Sequence, residues 1–149
     1  MKKSLLLISS IIMGVAMTGC TTNTDKTSPV SQSSSEAVSL ASVTGSVFYL
    51  ERIALPDNAV VTVTLEDVSL ADKAAEILAT DSFVTGGKQM PFKFKLDYDT
   101  NKIVPNHRYN VRAKIELDGK LRFATDTVTP VITDENKTQM VQLRVIGSR

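Results

Sequence analysis

One histidine and one cysteine are all that 149 residues offer of the side chains most used in nucleophilic and metal chemistry. His107 falls in "IVPNHRYNVRA", between Pro105 and Tyr109, so any histidine triad or zinc site would have to be built around it. That loop position predicts a solvated polar residue. Serine and aspartate are plentiful, but no G-x-S-x-G elbow is present. Asp97, Asp99 and Asn101 in "LDYDTNK" alternate loosely as calcium ligands do, yet the glycine and closing glutamate of a calcium loop are missing. They read instead as the outward face of a strand and the turn after it. "TGGK", Thr85 to Lys88, lacks the spacing of a phosphate loop and reads as a plain turn. Lys93 and Lys95 with Arg112 and Lys114 would form a basic sheet face, diluted by facing acids. No catalytic set emerges, so the chain reads as non-enzymatic, without a metal or a small-molecule substrate, and an unrecognised hydrolase is the minor alternative.

The cysteine carries the clearest chemistry. Cys20 sits in "VAMTGCTTNTDKT", where an apolar run gives way to threonines. Upstream stand Met1, Lys2 and Lys3, then "SLLLISSIIMGVAMTG", which carries no charge. A positive head, a short apolar middle and small residues before a processing point describe a secretory signal peptide, residues 1–19. The run from Leu5 to Thr18 is 14 residues, short of the roughly 20 that a spanning helix needs. "MTGC" resembles the bacterial lipobox, with Met17 in place of the usual Leu, Val or Ile. Small side chains admit the peptidase, the Cys20 thiol takes a diacylglycerol, and the freed amine takes a further acyl chain. Two or three chains anchor firmly where one binds marginally. Cys20 is therefore the expected lipidation site, and this covalent lipid is the only group expected in place of a cofactor. Thr21 follows where an Asp would favour inner-membrane retention, so the expected location is the outer membrane, facing the periplasm.

Residues 20–42 read as a tether. From Thr21 to Ser42 half the residues are Ser or Thr and large apolar side chains are nearly absent, too few to offset the entropy of ordering. Such a coil spans roughly 25 Å. Removing Lys2 and Lys3 leaves 15 basic and 16 acidic residues, a net charge of −1, which gives no reason to expect nucleic acid or an anionic surface as partner. With no second cysteine, the exported domain, residues 43–149, must be held by its core alone.

That domain has a period of two. "PFKFKLDYD" sets Phe92, Phe94, Leu96 and Tyr98 against Lys93, Lys95, Asp97 and Asp99. "YNVRAKIEL" repeats the pattern, "AVVTVTLEDV" offers Val61, Val63 and Leu65, and "MVQLRVI" offers Val141, Leu143 and Val145. "TGSVFYL" opens the domain, and its Gly45 marks a bulge or a close backbone approach. In "KIELDGKLRF" a three-residue loop, Leu117-Asp118-Gly119, would pair Ile115 with Leu121 and Ala113 with Phe123, with Gly119 in the left-handed position. "SLADKAAEILATDSF" predicts a helical turn near Ala71–Ala75 and a strand after it. The expected fold is all-β: an antiparallel two-sheet sandwich of about seven strands, Greek-key or immunoglobulin-like. Tyr109, led by Ile103 and Pro105, would be a tyrosine corner bonding back to upstream backbone.

From about Val43 to Ile146 the chain resembles the YbaY-like family of bacterial lipoproteins, which also contains the YscW-type pilotins of type III secretion. The resembling residues are "VTGSVFYLERIALPDNAVVTVTLEDVSLAD", "GGKQMPFKFKLDYD", "IVPNHRYNVRAKIELDGKLRFATDT" and "VIT". The resemblance implies a lipid-anchored binding module of the envelope. It also implies an alternative, a pilotin that binds a secretin segment and helps it reach the outer membrane. No catalytic residue carries over, while Cys20 carries over as the lipidated position. An extended client segment would add to an edge strand, and the stretch Val47–Leu50 is the first candidate edge. Cys20→Ser is expected to abolish acylation and move the protein out of the membrane fraction. Wild-type protein free in the periplasm without an acyl label would overturn that assignment.

Overall fold

The computed structural model describes residues 38–148. The signal peptide, Cys20 and most of the expected tether lie outside the described residues.

Nine strand segments form: β1 Leu40–Phe48, β2 Val60–Asp67, β3 Glu76–Val84, β4 Phe92–Asp99, β5 Tyr109–Leu117, β6 Lys120–Ala124, β7 Pro130–Val131, β8 Met140–Arg144 and β9 Ile146–Gly147. They make a sandwich of two sheets, a three-stranded one ordered β4-β1-β8 and a six-stranded one ordered β3-β2-β5-β6-β9, with β7 also on β5. The count exceeds seven because β7 and β9 are two-residue segments at the ends of interrupted pairings. One pair departs from the antiparallel expectation: β1 and β8 run parallel, Thr44 opposite Met140 and Val47 opposite Leu143.

The alternating residues supply the core. Phe92, Phe94, Leu96 and Tyr98 are buried while Lys93, Lys95 and Asp97 between them are exposed. Val61, Val63 and Leu65 of β2 and Val111, Ala113 and Ile115 of β5 meet them from the other sheet, joined by Val141, Leu143 and Val145. Burying a side chain of this kind contributes about 1.5–3 kcal/mol, so strict alternation fixes which face turns inward.

β1 begins at Leu40, before the Val43 boundary drawn from composition, because Leu40 and Ala41 pair with Asp99 and Tyr98 at the end of β4. β1 is also not an edge. It is the central strand of its sheet, hydrogen-bonded on both sides, and Leu50 lies beyond its end. Gly45 explains how it fits between two neighbours. A Cβ there would stand 2.0 Å from the Val141 carbonyl oxygen and 2.8 Å from the Phe94 ring. The glycine therefore serves a close backbone approach.

The β5–β6 hairpin differs from the parity argument. The loop is two residues, Asp118 and Gly119, both with positive φ (52° and 73°), and Leu117 pairs with Lys120. A bulge then skips Arg122 and sets Ile115 opposite Phe123, in place of the expected Ile115–Leu121 and Ala113–Phe123 pairs. The conflict between a tight turn and face consistency is resolved inside the strand rather than in the loop. No helix forms at Ala71–Ala75; a turn at Ala71–Asp72 and a bend at Lys73 stand there, since so short a run nucleates poorly. The strand expected after it is β3.

Tyr109 is buried at the head of β5, and its hydroxyl accepts a hydrogen bond from the Val104 N–H at 2.9 Å. Ile103 packs against the core beside it. Gly45→Ala is expected to lower stability by about 1–3 kcal/mol, the usual cost of overpacking a well-filled site. An unchanged urea midpoint would show that β1 can shift to make room.

Candidate functional site

His107 is drawn into a network rather than left in solvent. Its Nδ1 lies against Asp67 Oδ2 at the end of β2, and since a carboxylate only accepts, Nδ1 is the donor. Asp67 Oδ1 accepts from the Ser69 hydroxyl and from the Ser69 N–H at 2.9 Å. Ser69 Oγ in turn accepts from the Arg108 N–H at 2.7 Å, and Thr133 Oγ1 donates to the His107 carbonyl at 2.7 Å. The expectation of a solvated histidine is corrected by a partner 40 residues upstream.

Ser, His and Asp are thus together, but in the wrong order for nucleophilic catalysis. A triad needs the imidazole between hydroxyl and carboxylate. Here the carboxylate stands in the middle, and the Ser69 proton is held by Asp67 rather than by His107. The arrangement clamps the loop before β5 to the segment after β2. Burial pushes the Asp67 carboxyl upward, but the hydrogen bonds from Ser69 and His107 outweigh it and leave its pKa below the ordinary carboxylate range. "EDVS" shows the Asp-x-Ser turn; nothing local shows the reach to His107.

The other candidates are placed as follows. Asp97 accepts from the Ser42 hydroxyl and pairs with Lys95 at 2.8 Å, while Asp99 accepts from the Asn101 N–H at 2.9 Å and caps a 3-10 turn, Thr100–Lys102. Among the described residues no group of three His, Cys, Asp or Glu converges as a metal site. Thr85 is buried and donates to the carbonyls of Pro56 and Asp57, so "TGGK" ties two loops together. Lys93 and Lys95 lie on the three-stranded sheet and Arg112 and Lys114 on the six-stranded one, so they form no single basic face.

A concavity of about 500 Å³ lies along the outer surface of the six-stranded sheet. Thr62 and Thr64 of β2 and Thr80 of β3 line it, with Arg112 and Lys114 of β5, and the exposed Ile77 and Leu121 stand in it as apolar posts. Arg112 reaches toward Glu66 at 3.9 Å and Lys114 pairs with Glu116 at 2.9 Å, which mutes the charge. Such a surface can hold a segment of another chain.

Residues 38–143 match the family model described as type III secretion system lipoprotein chaperone (YscW). The chain is similar to the uncharacterized lipoprotein YbaY of Escherichia coli (strain K12), at 43% identity over 103 residues, 69% of this chain and 54% of that protein. It therefore spans about half the length of that curated relative. It is also similar to a solved structure, an alternative pilotin from the type II secretion system of Vibrio cholerae, at 57% identity with a TM-score of 0.73, covering 74% of this chain and 99% of that one.

The lowered Asp67 pKa fixes the sign of one pH effect. Its stabilisation is present above the unfolded pKa, about 3.9, and is lost as pH falls through the folded value. Asp67→Asn is expected to cost stability at neutral pH, with the gap to wild type narrowing as the buffer is taken into the acid range. Urea denaturation across pH reads it, and a gap that stays constant down to the most acidic buffer would count against the network.

Proposed function

The chain belongs to the family described as type III secretion system lipoprotein chaperone (YscW), and on that premise we propose that it is a pilotin-type lipoprotein. In this reading Cys20 carries the lipid, residues 20–39 link the anchor to β1, and the sandwich faces the periplasm from the outer membrane. The domain binds a segment of a secretin and accompanies it to that membrane, without chemistry.

The observation that carries the proposal is likeness over the whole of another pilotin: 57% identity across 99% of the Vibrio cholerae chain. That relative comes from a type II system, so a type II secretin is the favoured client. The Asp67–His107 clamp supports a non-enzymatic role, since its serine proton and its imidazole are both committed to one carboxylate. A second reading, an envelope lipoprotein with a different protein client, draws on the 43% identity to YbaY, whose name assigns no activity.

Deleting the gene and fractionating the envelope tests the proposal. Secretin multimers are expected to fall in the outer-membrane fraction and accumulate in the inner one, with recovery by wild type but not by Cys20→Ser. Secretin that stays in the outer membrane and fails to co-purify with the lipoprotein would leave the second reading in its place.

A further inference from the structure

Exposed sheet edges invite pairing with another chain, and natural proteins blunt them with inward charges, lysines, bulges or brevity. Three of the longer strands here border open sides, and two are blunted. On β3, Asp81 shares the inward face with Phe83, opposite Val63, and a register shift near Leu65 bends the strand. The Asp81 carboxylate accepts from the Lys95 N–H of β4 at 3.0 Å, taking a backbone donor on that edge. β4 also presents the exposed side chains of Lys93, Lys95 and Asp97.

β8 has no bulge, inward charge or lysine; its brevity, five residues, and the exposed Arg144 are all that blunt it. Thr44 donates to the Gln139 carbonyl at 2.9 Å and Val145 to that of Phe48 at 2.9 Å, so the odd-numbered residues bond to β1. The N–H and C=O groups of Met140, Gln142 and Arg144 therefore point away from β1. Among the described residues no other strand pairs with β8. Met140 is 78% exposed, while Val141 and Leu143 turn into the core. Two features flank this edge. Arg144 holds Asp126 at 3.8 Å at one end, and the loop Ile132–Thr138, closed by an Ile132 N–H to Thr138 carbonyl bond, enters β8 at the other.

We infer that the open edge of β8 receives one extended strand of the client protein, pairing backbone to backbone with Met140, Gln142 and Arg144. Flanking by Asp126 and the Ile132–Thr138 loop admits a single strand more readily than the sheet of a second copy. The segment that fits alternates apolar and polar residues, the apolar ones extending the inner surface made by Val141 and Leu143 and one acidic residue meeting Arg144. This rests on the client-binding reading above and adds where and how the client is held.

Short overlapping peptides tiled over the secretin, titrated against the folded domain, test the inference. Gln142→Pro removes an outward N–H but no bond to β1, and is expected to weaken the bound peptide about tenfold, the scale of losing one strand-pairing hydrogen bond. The double variant Met140→Lys, Gln142→Lys blunts the edge without touching the backbone and should act alike, whereas Ser82→Pro on the guarded β3 edge should not. In wild type, peptide binding should slow amide exchange at Gln142 and Arg144. A peptide that binds all variants equally would overturn this surface and leave the pilotin reading standing. No binding by any peptide to wild type would remove both. A change confined to self-association would assign the edge to a second copy instead and also overturn it.

Discussion

The close approach at Gly45 is the contact on which the sandwich depends. β1 must bond to β4 on one side and β8 on the other, and the Val141 carbonyl and the Phe94 ring leave no room for a side chain between them. Both partners lie far along the chain, at residues 92–99 and 140–144, so the first strand is locked only when the last is in place. Such non-local pairing is slow to form because loop closure precedes its reward. It also makes the domain cooperative from end to end. The described chain enters the sandwich at the head of this same strand, at Leu40, so whatever lies before it is joined to a strand bonded on both sides.

Polar groups inside the fold are spent on holding loops. Tyr109 takes the Val104 N–H, Thr85 takes the carbonyls of Pro56 and Asp57, and Asn110, buried on β5, accepts the Thr129 N–H at 2.6 Å. The Ser69–Asp67–His107 cluster belongs with these. Among the described residues no buried side-chain nitrogen or oxygen lacks a partner. Satisfied groups of this kind rigidify a domain.

Much of the fold was legible because burial in a sandwich has period two. "PFKFKLDYD" states its inner face outright, and β2, β5 and β8 do the same. Less legible was whatever depends on pairing across distance. The parallel β1–β8 pair leaves no mark on either segment, which is why Val47–Leu50 was open to mistake for an edge. The β5–β6 hairpin presented two constraints, turn chemistry at Asp118-Gly119 and face consistency at Ile115, and sequence parity admits only one loop length at a time. A bulge at Arg122 satisfies both. Asp67 and His107 are each ordinary alone, and it is the β2–β5 pairing, with Asp67 opposite Tyr109, that brings them together.

On the proposed reading, a domain that receives an extended client segment needs affinity that does not depend on a finished surface. Backbone pairing supplies that, because every residue but proline carries the same donor and acceptor. The difficulty is that an edge open to a client is equally open to any other unfolded chain in the envelope. This domain divides the problem by strand. Asp81 closes the β3 and β4 side with one carboxylate on one N–H, and the lysines of β4 discourage further pairing there. β8 is short, five residues between Asp126 and the Ile132–Thr138 loop, and on the proposed reading that length suits one added strand rather than a growing sheet. Selectivity then rests on what flanks the edge rather than on the edge itself.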